Sequence, residues 1–362
     1  MTSPRHTFGW AAALSVTAVL WSGTFAYAAG PGDNTTQPPS SEKPSGNVSG
    51  NELSAGTSSI QLSYPKGGKG GGKKGNLAPI DPNWKPPACW YEPAFTSKEL
   101  KDFVDKDGGG DVGIHEQWFG KELWTDHYRD GKPADNFDLH EASNSSAEGY
   151  KDYNEGEMGR FWRGVAPDES DPKSWDCGRL MFWVDAGQIP DDPHAPTPKM
   201  LAEYAYDKVK VPDTEVELKP AAKSTVNLPT WAWLDKGTFK DVKVRAELPN
   251  TPLWAETTAT PKSLHLEPGT ADAETFPASG ECKINDDGSI GTPYTKGKSK
   301  QDPPCGINYL RATNGEPYKL KASVTWEISW EGSDNDGVHQ LPNGTFETTQ
   351  DMDVQEIQSI NR

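Results

Sequence analysis

Residues 318–330 read YKLKASVTWEISW, and this stretch decides the fold. Leu320, Ala322, Val324, Trp326, Ile328 and Trp330 alternate with Lys319, Lys321, Ser323, Thr325, Glu327 and Ser329. A period of two over this length turns one face to a core and the other to water, as in a half-buried antiparallel strand. Working outward, further strands are expected at Thr214–Leu218, Ser224–Leu228, Thr230–Leu234, Val242–Leu248, Trp254–Thr260 and Ser263–Leu266. Ile307–Ala312 and Val354–Ile360 complete the set. Short strands broken by Pro and Gly turns predict an antiparallel β-sandwich, immunoglobulin-like, over 208–362.

Upstream the period changes. Thr96 and Glu99 stand three apart, as in a capping box, and Leu100, Phe103 and Val104 follow at helical spacing. His115–Tyr128 carries Trp118, Phe119, Leu123 and Trp124 as one helical stripe. Tyr150–Trp162 and Thr197–Val209 are weaker helical segments, and Leu180–Val184 reads as a short buried strand. The expected fold class is therefore α+β, with a mixed helical domain over 81–207 ahead of the sandwich.

The amino terminus predicts export. Arg5 and His6 precede an apolar run of twelve, Trp10–Trp21, and Ala26-Tyr27-Ala28 supplies small residues where a signal peptidase reads. Twelve apolar residues fall short of the ~20 that cross a bilayer. Residues 1–28 are read as a signal peptide, with no transmembrane segment after it. Residues 29–80 are rich in Pro, Ser, Gly and Asn and end in a Gly/Lys run from Lys66 to Lys74. Such a composition cannot offset its ordering entropy by burial and reads as a disordered tether. The lysine run is read as solvated linker, with contact to anionic envelope polymers as the alternative.

Charge excludes one partner class. Residues 1–80 hold six Lys/Arg and three Asp/Glu of the chain's 36 and 53, leaving 30 basic and 50 acidic residues on 81–362, a net of −20. An acidic body of this size disfavours nucleic acid, whose phosphates are neutralised by basic faces.

Four cysteines, Cys89, Cys177, Cys282 and Cys305, follow the leader. They allow three full connectivities. Pairing Cys282 with Cys305 closes a short loop worth about 3 kcal/mol on the chain-entropy model, so that pair and Cys89–Cys177 are favoured. Zinc is disfavoured, because no two cysteines sit at C-x-x-C spacing.

The segments CGINY (305–309), VTWEISWEGS (324–333) and DVQEIQSIN (353–361) resemble exported actinobacterial proteins of unknown function. PPACWYEP (86–93) and LPTWAWLD (228–235) are similar to the same group, and the resemblance spans most of 84–362. It implies a secreted or envelope-associated protein and brings no activity with it.

The chemical motifs are few. Asp105-Lys-Asp107-Gly-Gly-Gly110-Asp111-Val112-Gly-Ile-His-Glu116 sets against a calcium loop. Asp105, Asp107 and Glu116 fall at positions 1, 3 and 12, Gly110 at the turn, and the Asp111 carbonyl at position 7. Gly109 withholds a ligand at position 5 and no second loop pairs with this one. An ordinary glycine-rich turn is the plainer alternative. No H-E-x-x-H, G-x-S-x-G or phosphate-cradling glycine loop occurs. Twelve of the 14 tryptophans lie in the ordered part, where core packing is weighed above a ligand platform. No catalytic residue and no cofactor other than that calcium is assigned. The expected function is a secreted, non-enzymatic binding or structural protein of the envelope, its partner an envelope protein or polymer. An envelope hydrolase with its site at the domain junction, and a calcium-stabilised adhesin-like module, are the alternatives.

Overall fold

A computed structural model describes residues 58–65, 74–107, 123–133, 149–212, 216–221, 223–234 and 240–357. The predicted signal peptide, most of the tether and the calcium-loop residues Asp111 and Glu116 lie outside them.

The larger sheet has eight strands. Its order is β1 (Gln61–Ser63), β11 (Val242–Glu247), β12 (Trp254–Glu267), β17 (Tyr318–Gly332), β18 (His339–Gln355) and β3 (Ala78–Pro79). β14 (Glu281–Lys283) also pairs with β12, and β9 (Lys223–Thr225) pairs in parallel with β18. β17 keeps the alternation predicted for it: Leu320, Ala322, Val324, Trp326 and Ile328 are fully buried. The two segments expected at 254–260 and 263–266 are one strand, β12, whose pairing shifts between Pro261 and Ser263. That bulge keeps Leu264 and Leu266 on the core face beyond it.

The smaller sheet runs β13 (Ala273–Phe276), β16 (Gly306–Tyr309), β10 (Thr230–Leu234) and β15 (Ile290–Gly291), with β8 (Glu217–Lys219) on β10. Its buried Leu234, Ile290, Ile307 and Tyr309 share one core with β12 and β17. Tyr309 stacks on Tyr318 at 5.4 Å and donates its hydroxyl to the Pro268 carbonyl at 3.3 Å. These are curled antiparallel sheets packed in a β-sandwich-like way.

The mixed helical domain expected over 81–207 is not supported. Its described residues centre on an antiparallel sheet of β4 (Trp90–Phe95), β5 (Gly159–Val165) and β6 (Phe182–Asp185). The helix expected over Tyr150–Trp162 is a single 3₁₀ turn at Asp152–Asn154 followed by β5. Five consecutive residues from Phe161 to Val165 are buried, because the sheet is covered on both faces, so no period of two shows in the sequence. One face packs Phe95, Phe161 and Met181 against helix α1 (Ser97–Asp107) and Trp124. The other packs Tyr91, Trp162 and Phe182 around Cys89 and Cys177. The predicted capping box is present: Thr96 N–H donates to Glu99 at 2.7 Å and Glu99 N–H donates to Thr96 Oγ1 at 3.2 Å. Of the helix expected at His115–Tyr128, the described part is one π-helical turn, Leu123–His127.

The boundary expected at residue 207 has no counterpart in the packing. Helix α2 (Pro198–Asp207) lies on β11, β12 and β17, and its Leu201, Ala202 and Ala205 belong to the core of the larger sheet. Ala255, Thr257 and Ala259 keep β12 low beneath it, and Thr257 Oγ1 donates to the Ala202 carbonyl at 2.9 Å. Gly332 lies close against the start of α2, since a Cβ there would stand 2.6 Å from Pro198 Cβ.

The tether reading also stops short of residue 80. Ile60 is 2% exposed, Leu62 sits opposite Ala246, and β2 (Lys74–Asn76) pairs with β7 (Lys210–Pro212). Ile60, Leu62 and Leu77 give these short runs enough apolar surface to join the core.

Candidate cleft beside the Cys89–Cys177 disulfide

Two disulfides are formed, Cys89–Cys177 and Cys282–Cys305, with Cα separations of 5.9 and 5.5 Å. This is the connectivity favoured from the sequence. Cys282 lies in β14 of the larger sheet. Cys305 precedes β16 of the smaller one, its carbonyl accepting from Ala232 N–H in β10 at 3.0 Å. The second bridge therefore joins the two sheets.

The first bridge lines a cleft of about 420 Å³. Three pieces of backbone build it. The segment 85–90 leads into β4, the 3₁₀ turn Pro172–Cys177 carries Lys173 and Asp176, and residues 193–203 run through a loop into α2. Each piece is pinned locally. Asp171 accepts from Lys173 N–H and starts the 3₁₀ turn with Pro172 in its first position. Thr197 accepts from Met200 N–H at 3.0 Å and starts α2. Between them, Asp192 accepts from His194 N–H at 2.9 Å, and Tyr91 N–H donates to the His194 carbonyl at 3.2 Å. That last bond ties the His194 turn to β4, two residues along the chain from Cys89.

Charge in the cleft runs against the rest of the body. Lys85, Lys173 and Lys199 line it against Asp176 and Glu203, three cations to two carboxylates. Burial pushes the Glu203 carboxyl above its usual value, with Lys199 acting the other way. His194 Nδ1 stands 3.6 Å from Asp192, which also lies 4.0 Å from Arg179.

Next to Trp90, which lines the cleft, is a buried ion pair. Glu92 and Arg163 are cross-strand partners of β4 and β5, 2.8 Å apart with neither side chain exposed. Glu92 also accepts from Ser58 Oγ at 3.0 Å, from Ser59 N–H at 2.9 Å and from Trp90 Nε1 at 3.4 Å. The Tyr204 hydroxyl is pushed up to about 12 by burial and by the Glu92 charge. Tyr204 meets Trp90 edge-on at 5.3 Å.

The calcium reading is not assembled by the described residues. Asp105 is exposed near the end of α1 and Asp107 is its last residue, while Asp111 and Glu116 lie outside the described residues. The one convergence of metal-ligating side chains among the described residues is Cys89, Cys177 and His194, whose ligand atoms lie within 4.8 Å of one another. Spacing along the chain gave no sign of it, because the three come from separate segments. Among the described residues no helix is long and apolar enough to cross a membrane. No family model matches the chain, and neither a curated protein nor a solved structure is significantly similar to it.

Proposed function

We propose that this chain is a secreted, non-enzymatic binding protein of the cell envelope or extracellular space, akin to the exported actinobacterial proteins it resembles. In this reading its cleft takes an anionic group of an envelope polymer. The observation that carries the proposal is the placement of Lys85, Lys173 and Lys199 around one cleft of a strongly acidic body. Three cations to two carboxylates favour an anionic group at that point, while the acidic surround opposes a long, densely charged polyanion such as nucleic acid. The two disulfides support an oxidising compartment. The inter-sheet bridge and the fully buried Trp326 support an immunoglobulin-like reading of the sandwich.

Calorimetry with a phosphate-bearing envelope polymer and with a neutral polysaccharide tests the ligand class. Binding of the first alone is expected, weakening with salt and lost in a Lys85→Glu/Lys173→Glu variant. Equal binding of both polymers, or none of either, sinks the reading. Fractionation tests the compartment, and recovery of the chain in the cytoplasm with free thiols rejects it.

A further inference from the structure

We propose that the Cys89–Cys177 disulfide is a redox-gated zinc site, closed when oxidised and completed by His194 once the bridge is reduced. The observation is geometric: both sulfurs and a ring nitrogen of His194 already lie within 4.8 Å of one another. The Asp171-capped turn, the start of β4 and the Asp192 turn carry these residues on hydrogen-bonded backbone in addition to the S–S bond. Two thiolates and an imidazole form a three-protein-ligand zinc set, whose fourth position stays open. The cleft that Cys89 and His194 both line would give that position access to solvent. The Asp192 carboxylate, 3.6 Å from His194 Nδ1, is the kind of neighbour that orients a ligating imidazole.

The chemistry balances with a dithiol as reductant. Its thiolate attacks one sulfur of the bridge, forming a mixed disulfide and releasing the other cysteine thiolate. Its second thiol then closes a cyclic disulfide and frees the first cysteine. Two electrons pass from the dithiol to the S–S bond. Zinc binding then sets the two cysteine protons free to buffer. Cys89 is 7% exposed and Cys177 is fully buried, so the attack comes through the cleft on Cys89. The inter-sheet bridge offers no such set: the only convergence among the described residues that could hold a metal is the one at Cys89.

The test uses the full chain, untreated or reduced with a dithiol and desalted without oxygen, titrated with Co²⁺ and then Zn²⁺. Reduced protein is expected to take up one equivalent of Co²⁺, with thiolate-to-cobalt charge-transfer absorption in the near ultraviolet that zinc abolishes. Untreated protein should show none. His194→Ala should keep the charge-transfer band but weaken binding about tenfold or more, since even outer-shell losses cost that much. Cys89→Ser/Cys177→Ser should lose the band. The proposal is overturned if reduced protein binds no cobalt, if His194→Ala binds as tightly as the parent, or if the band survives in the double serine variant. It also falls if reduction abolishes the near-ultraviolet dichroism of the tryptophans and zinc does not restore it.

Discussion

Glu92 and Arg163 face each other across β4 and β5, an ion pair of 2.8 Å with both side chains wholly buried. The pair fixes more than two strands. Ser58 and Ser59 donate to the same carboxylate, so the segment ahead of β1 is held on a charge that lies in the interior. Desolvating two ions is costly, and the mutual attraction is worth keeping only while every partner is in place.

Glu92→Ala leaves the Arg163 guanidinium buried without its counter-ion. Stability should fall by about 3–5 kcal/mol. Replacing both residues together with Met should cost clearly less than Glu92→Ala alone. Urea denaturation of Glu92→Met, Arg163→Met and the double variant checks this, and additive losses would mean that the pair is not coupled.

A chain beginning at residue 81 lacks β1, Ile60 and the two serine donors to Glu92. Burial of Ile60 alone is worth about 2 kcal/mol. At roughly 2–4 °C per kcal/mol, its melting temperature should lie at least about 5 °C below that of a chain beginning at residue 58. Equal melting temperatures would return residues 58–80 to a passive linker.

His127 is buried against Tyr128 and Tyr150, its Nδ1 3.0 Å from the Lys132 carbonyl. Burial holds its pKa below the ordinary 6.5, outweighing that backbone contact. The unfolded chain therefore takes up a proton first as pH falls through 6.5, and folding stability is lost from there downward. Melts between pH 7.5 and 5 should show a decline that is smaller in His127→Gln. An identical decline in both would assign it to carboxylates elsewhere.

Cys282→Ala/Cys305→Ala opens a loop whose ends are 23 residues apart and uncouples the two sheets. A loss of about 3 kcal/mol is expected. Non-reducing peptide mapping of the parent should link Cys282 only to Cys305, and Cys89 only to Cys177.

How much of this was legible depended on where each segment buries its side chains. β17 has one dry and one wet face, so its alternation could be read directly. Its partner β18 buries only Leu341, Gly344, Met352 and Val354 along 17 residues, and Pro342-Asn343-Gly344 reads as a turn. That strand was seen only at its end. β5, covered on both faces, shows no period of two, and its first four residues fall in the segment Tyr150–Trp162 expected as a helix. The disulfides were legible because one closes a short loop and the other follows by elimination. The cleft was not. His194 reaches Cys89 through a turn held by Asp192 and a backbone bond to Tyr91, and neither leaves a mark in spacing.

β1 and β3 stand at opposite ends of the strand order of the larger sheet, so a short stretch near the front of the chain supplies both of its borders. Their partners come late: Thr345 Oγ1 donates to the Ala78 carbonyl at 3.4 Å across 267 residues of sequence. Contacts of that span raise the contact order and slow the search for the native pairing. In the order of synthesis β1 waits for β11 and β3 for β18, so the sheet cannot close until β18 has been made. Once β18 pairs with it, β3 covers an edge that would otherwise invite intermolecular association, with Pro79 withholding a donor.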